Sequence, residues 1–381
     1  MKKIIALLLA AVMTFGMVAC ASKKEPEKVP EVEPPAQTEE PATDAAIPTK
    51  VALITDVGTI DDESFNQSTW QGVEEYCKAN NVEYNYYQPA EGTDDARLTS
   101  ITTAVADGYN VIVLPGFLFG SILGQVQELF PEVYFIAVDV GEGDLGGATP
   151  AANVTCLTFA EEQAGYLAGY GAVKDGYTKL GFLGGIGVPA VKRYGYGFIQ
   201  GAEAAAVEMG VNPELKYTYG GQFAPSPEIT AKMEGWYAEG TEVVFACGGG
   251  IWASPAEAAM QHNGKLIGVD VDQHPLGNAE SYTFNPFITS AMKGLQSTTV
   301  TVLTALFNGE FEQYGGKVLN LSLAEGDYVG LPTSEESWGF QTFTVEEYNA
   351  VLEKIKSGEI VVSNDTETMP ETTAVTVKVV E

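Results

Sequence analysis

From residue 51 onward, short apolar runs alternate with stretches whose apolar positions recur at helical spacing. The runs Val51–Ile54, Tyr84–Gln88, Val111–Leu114, Tyr134–Val138 and Val154–Thr158 have strand length. A second series follows at Lys179–Leu183, Leu215–Tyr219, Val243–Ala246, Leu266–Val269 and Ser281–Phe284. Between them, 65–80, 96–107 and 191–209 carry helical patterns. Continuous apolar strands separated by helices predict parallel sheets covered on both faces, an α/β architecture.

The two series correspond element by element. Asp107-Gly108 precedes Val111-Ile112-Val113, and Glu239-Gly240 precedes Val243-Val244-Phe245. Phe65 follows the strand-end residue Asp56, and Tyr194 follows Gly185 at the same interval. Each half is thus expected to carry an aromatic in the first turn of the helix after its first strand. In open α/β sheets, ligands bind beyond the carboxyl ends of the strands, so the corner holding Asp56, Phe65 and Asn66 is a candidate site. Phe65 lies about 140° around an ideal helix from Trp70, which forms the core stripe with Val73 and Cys77. That angle turns Phe65 toward a cleft, where Tyr194 would be the second ring around a flat ligand. The competing expectation is that each ring packs into its own lobe.

Further polar groups fall at strand ends. Asp270 closes the apolar run Leu266–Val269, where one carboxylate can accept from two neighbouring hydroxyls. Phe287 to Lys293 reads as the start of a helix, from which Lys293 reaches a hydroxyl or neutralises Asp270, or is simply solvated. Cys247-Gly248-Gly249-Gly250 follows another strand, and its glycines allow backbone to approach a ligand or form a plain turn. Asp270 and Asp272 lack the glycine and terminal glutamate of a calcium loop.

The amino terminus sets the compartment. Lys2 and Lys3 precede an apolar run from Ile4 to Phe15, then Gly16-Met17-Val18-Ala19-Cys20. This is the pattern of a signal peptide over 1–19 ending in a lipobox, with Cys20 as the lipidated residue; a cleaved signal with an incidental cysteine is the alternative. Residues 20–49, rich in Pro and Glu, cannot bury enough surface to order themselves and form a tether. The expectation is a lipid-anchored protein on the extracytoplasmic face of the cell membrane, monomeric and working in water. The body divides into lobe 1 (50–158 and about 274–308) and lobe 2 (159–273 and about 309–362). Residues 363–381 are a C-terminal extension, either a disordered tail or an added edge strand.

Composition narrows the chemistry. A net charge of −31 excludes a nucleic-acid partner, which needs a basic face. The chain has 2 histidines, which supply little for a triad or a zinc site. Gly185, Gly187 and Ala190 fit a dinucleotide spacing, but the next strand ends in Gly220-Gly221 rather than the required acid. Gly264-Lys265 is followed by Leu266, so that stretch is no phosphate loop. An enzyme is not expected, nor a metal or cofactor. Cys77, Cys156 and Cys247 stand apart in apolar surroundings and read as buried free thiols.

Thr55-Asp56, with Ile60-Asp61-Asp62-Glu63-Ser64-Phe65-Asn66-Gln67-Ser68, resembles the opening signature of the basic membrane protein family. These are substrate-binding lipoproteins of ABC transporters, typified by purine nucleoside receptors. Further matches run in order through Glu161–Gly169, Gly181–Gly185, Gly197-Phe198, Ile267–Asp270, Thr289-Ser290 with Lys293, and Lys354–Ile360. They span roughly residues 50–362. The resemblance implies a type I periplasmic-binding fold, two lobes joined by three crossovers, with a nucleoside, of purine type, caught between them for a permease and its ATPase. It implies that Asp56 and Asn66 contact the base, Phe65 and Tyr194 stack on it, and Asp270 with Lys293 holds the ribose, with Gly249 in the matching glycine loop. Tyr194 stands where phenylalanine is common, and Ile251-Trp252 interrupts the glycine loop. A sugar receptor on the same fold, and a sensor uncoupled from transport, are the alternatives.

Overall fold

The computed structural model describes residues 47–381. The signal peptide, Cys20 and the tether up to residue 46 lie outside the described residues. Among those described, no helix is long and apolar enough to cross a membrane.

The chain opens with β1 (Lys50–Ile54), α1 (Phe65–Asn80), β2 (Glu83–Tyr87), α2 (Asp94–Ala106), β3 (Val111–Pro115), α3 (Gly120–Leu129), β4 (Tyr134–Val138) and β5 (Val154–Phe159). It continues through α4 (Glu161–Lys174), β6 (Lys179–Gly184), α5 (Pro189–Met209), β7 (Glu214–Tyr219), α6 (Pro227–Ala238), β8 (Val243–Cys247), α7 (Ala253–His262), β9 (Lys265–Asp270) and β10 (Phe287–Lys293). It ends with α8 (Leu295–Phe307), β11 (Lys317–Leu321), β12 (Val329–Gly330), α9 (Val345–Lys356) and β13 (Thr376–Val379).

The strands form two sheets, ordered β11-β5-β4-β3-β1-β2 and β12-β10-β9-β8-β6-β7-β13. Every pairing is parallel except β10 with β12. The inner strands are buried end to end, as the continuous apolar runs require. The chain passes between the sheets after β5, after β10 and after β11. This is the expected type I binding-protein architecture with three crossovers.

Two passages come later than the sequence boundaries. Residues 287–293, expected to start a helix of the first lobe, form β10 inside the second sheet, and the chain crosses at Gly294. A fully buried strand has no alternation, so periodicity could not separate it from a buried helix. Residues 317–321, expected in the second lobe, form the edge strand β11 of the first sheet. The strand expected at 281–284 begins instead at Phe287, whose N–H bonds to the Asn285 side chain.

Helices α4 and α5 pack unusually closely because glycines line their contact. A Cβ on Gly201 would lie 1.9 Å from the Tyr166 carbonyl oxygen. This approach brings the first residue of α4, Glu161, against Arg193 of α5. Cys77, Cys156 and Cys247 are buried free thiols.

The extension beyond residue 362 supplies an edge strand. β13 pairs in parallel with β7, opposite β6. The Glu203 carboxylate accepts from the backbone N–H groups of Thr373, Ala374 and Val375 and from the Thr373 hydroxyl. Val375 is buried against the core of the second sheet. Replacing Glu203 with alanine should cost on the order of 2 kcal/mol, the worth of charge-assisted bonds lost together. Hydrogen exchange would then quicken selectively at 373–380; unchanged protection there would show that Val375 packing alone holds the strap.

Candidate functional site

A cavity of about 510 Å³ opens beyond the carboxyl ends of both sheets. The first sheet contributes the β1–α1 corner with Asp56, Phe65 and Asn66, the turn after β3 with Phe117, and Asp139 after β4. From the second come Tyr194 of α5, Phe223 after β7, Gly249 after β8, Asp270 ending β9 and Lys293 ending β10. All seven ligand-site residues proposed from sequence therefore line one cavity.

At the β1–α1 corner the start of the helix is held by Asp62. Its carboxylate accepts from the backbone N–H groups of Ser64, Asn66 and Gln67 at 2.9–3.1 Å. This satisfies donors that an unmodified helix start leaves open. The Asn66 amide nitrogen donates to Asp62 at 3.1 Å and to Asp56 at 3.4 Å, which fixes the orientation of the amide. The Asn66 amide oxygen is buried and has no partner among the described residues. Burial pushes the Asp56 carboxyl above its usual range, against the pull of hydrogen bonds from Gly58, Val57 and Asn66. Asp62 is pushed up to about 6 by burial despite its N–H donors. Gly249 sits at φ +50°, and a Cβ there would lie 2.9 Å from the Phe223 carbonyl oxygen. Glycine at this position lets the β8 turn and the Phe223 loop meet.

The opposite end is an ion cluster. Lys293 Nζ lies 2.5 Å from Asp139, 3.2 Å from Glu161 and 3.7 Å from Asp270. Glu161 also accepts from Arg193 Nε at 2.6 Å. Asp270 accepts from the Ser64 hydroxyl at 2.6 Å, joining the second sheet to the β1–α1 corner. Gln273 makes a parallel link, donating to the Glu63 carbonyl at 2.8 Å. Asp139, Asp270 and Glu63 all have positive φ, a left-handed backbone that non-glycine residues adopt at a cost.

With Glu162 also buried beside Glu161, acids outnumber cations in this cluster. Burial alone would lower Lys293, but Asp139, Glu161 and Asp270 outweigh it and hold the ammonium charged. Burial likewise acts to raise Glu161, yet Arg193 and Lys293 together hold it below the usual range. The excess of acid shows at Asp139 and Glu162. Burial raises Asp139 despite Lys293, and burial with the Glu161 charge pushes Glu162 up to about 7.

Tyr194 lines the cavity in a different way from the expected clamp. It stands in the second turn of α5, is 1% exposed, and packs edge-on against Phe245. Lys293 Nζ lies over both rings, 4.7 Å from the Phe65 centroid and 5.7 Å from that of Tyr194. The ammonium thus approaches both rings that the repeat spacing paired. The second sheet's open ring in the cavity is Phe223, partly buried on the loop after β7.

The family model described as "ABC transporter substrate-binding protein PnrA-like" matches residues 49–366. The chain belongs to this PnrA-like family. An ABC transporter nucleoside-binding protein, BmpA, of Lactococcus lactis subsp. cremoris is 29% identical over 293 residues, 73% of this chain and 80% of the relative. Basic membrane protein A1 of Borrelia garinii subsp. bavariensis is 30% identical over 321 residues, 82% of this chain and 88% of the relative. A solute-binding protein of an ABC transporter system from Aeropyrum pernix K1 superposes with a TM-score of 0.69 at 21% identity, covering 84% of this chain and 94% of that one. That likeness shows the fold. Membership of the PnrA-like family makes the chain a transporter's substrate-binding protein and not an enzyme.

The cavity also holds groups that sequence reasoning missed. Asp139, Glu161 and Arg193 come from three separate elements, and only the tertiary fold brings them to Lys293. Phe223 had a local signal, an aromatic a few residues past a strand end, but it fell outside the repeat used to find Tyr194. Asp62 carried the plainest signal, an acid just ahead of a helix start.

Proposed function

We propose that this PnrA-like protein captures nucleosides, purine nucleosides foremost, between its two sheets and hands them to a membrane permease. It works from the outer face of the cell membrane, held there through Cys20. The observation that carries the reading is the arrangement at the β1–α1 corner. An aromatic ring, a buried carboxylate and an amide oxygen without a partner stand together at one end of the cavity. A nucleobase offers both a stacking face and an edge of hydrogen-bonding groups to such a corner. At the far end, Asp270 is placed to accept from ribose hydroxyls beside the Lys293 ammonium, with burial raising its carboxyl above the usual range despite that charge. Phe65 and Phe223 supply rings from opposite sheets.

Ligand contacts that draw on both sheets favour a closed arrangement, since only closure presents the two halves together. Ser64 to Asp270 and Gln273 to Glu63 are contacts of such a closed state.

Calorimetric titration of the protein with inosine, guanosine, adenosine, cytidine, ribose and galactose tests this reading. Nucleoside binding without sugar binding is expected; the reverse result would overturn it. Phe65→Ala should weaken nucleoside binding by roughly 1–3 kcal/mol, the worth of one stacked ring. An unchanged affinity would assign Phe65 to packing alone.

A further inference from the structure

The charge of the cavity wall points to a selectivity beyond the choice of a nucleoside. Asp56, Asp61, Asp62, Glu63, Asp139 and Asp270 line the cavity, and Lys293 is the one cationic side chain lining it among the described residues. That lysine is already engaged by Asp139, Glu161 and Asp270. At the β1–α1 corner, Asp56 and Asp62 are held only by neutral donors, the N–H groups of the helix start and the Asn66 amide. No ion pair among the described residues includes either carboxylate. A positive charge on a ligand would therefore meet the buried Asp56 carboxylate and the half-buried Asp62 carboxylate, neither with a cation partner. Buried charges are poorly screened by salt. A phosphate would meet the same carboxylates with no free cation to receive it.

We propose that the cavity discriminates by ligand charge. It takes purine nucleosides whose base carries a positive charge, such as those alkylated at N7, ahead of neutral ones, and it excludes nucleotides. The inference rests on the nucleoside reading and names the class of nucleoside that the site favours. Alkylation at N7 leaves the flat ring and the ribose in place, so the added charge is the main change the wall must read.

The test is calorimetric titration of the full chain with guanosine, 7-methylguanosine and guanosine 5′-monophosphate. It is run just below neutral pH, where the methylated base is still mostly cationic and Asp62, pushed up to about 6, is mostly ionised. 7-Methylguanosine should bind about ten-fold more tightly than guanosine, and the monophosphate about ten-fold more weakly or not at all. Equal affinity for guanosine and its methylated form, or tight binding of the monophosphate, overturns the charge selectivity and leaves nucleoside capture standing. Failure of all three to bind removes both readings. Asp56→Asn should weaken 7-methylguanosine several-fold more than guanosine, narrowing the preference for the methylated ligand. Asp62→Asn keeps an acceptor for the helix start and should narrow the same ratio. A ratio unmoved in both variants overturns the assignment of charge sensing to this corner.

Discussion

Replacing Lys293 with methionine is expected to destabilise the protein by about 3–5 kcal/mol, the usual cost of stripping a buried ion cluster of its cation. The ammonium is 2% exposed and contacts Asp139, Glu161 and Asp270, carboxylates that are themselves almost fully buried. Methionine fills a similar volume, so the loss is electrostatic rather than a cavity. Asp139 and Asp270 would then have to take up protons to remain buried, which is easier in acid. The deficit should therefore be larger at pH 8 than at pH 5. Guanidinium denaturation at both values, with slopes compared to exclude a change in the unfolded state, measures it. A loss below about 1 kcal/mol at pH 8 would mean that solvent or rearrangement relieves the cluster, contrary to the buried geometry.

The second large effect is the pH dependence carried by Glu162. Its carboxyl rises from 4.5 to about 7 through burial, with the Glu161 charge adding to it. A carboxyl raised on folding holds its proton in the folded chain after the unfolded chain has lost it. Stability from this group is thus present in acid and is lost as pH rises from about 4.5 to about 7. The fall across that window should be roughly 3 kcal/mol, reduced where Arg193 eases the ionised form. Glu162→Gln removes the titrating group, so its denaturation midpoints should vary less between pH 5 and pH 8. A variant whose pH profile overlays the parent would place the titration elsewhere in the cluster, with Asp139 the first candidate.

Strands that are apolar end to end and bounded by helices were legible at once, since both faces of a parallel sheet are covered. Strands β1 to β9 lie where the apolar runs put them, within a residue or so at each end. The β10 segment was not legible because Phe287 to Lys293 combines buried small, polar and apolar residues without a period. Moving it into the second sheet changes what Lys293 is: a strand-end residue at the core of the site rather than a helix residue at its rim. The corner of Asp56, Phe65 and Asn66 could be read from a local sequence because all three sit within one strand-to-helix connection. The ion cluster could not, because Asp139 and Lys293 stand 154 residues apart and meet, with Glu161 and Arg193, only across the passage of the chain from one sheet to the other. Tyr194 shows the limit of reasoning from a repeat. Equal spacing placed it on the correct wall, but one further helical turn buried its ring and left the open position to Phe223.

One residue of the cavity wall also gives the protein a built-in optical signal. Of the 4 tryptophans, Trp252 lines the cavity, its indole tilted against Phe287, while Trp70 packs against Tyr84 and Tyr86, and Trp236 and Trp338 pack elsewhere. Indole emission follows local polarity and quenching by neighbouring rings. An occupant that displaces water from this wall should alter the emission of one fluorophore against a steady background from the others. Ligand occupancy can thus be followed in the native chain without a label, at the turn where the usual run of glycines is broken by Ile251-Trp252.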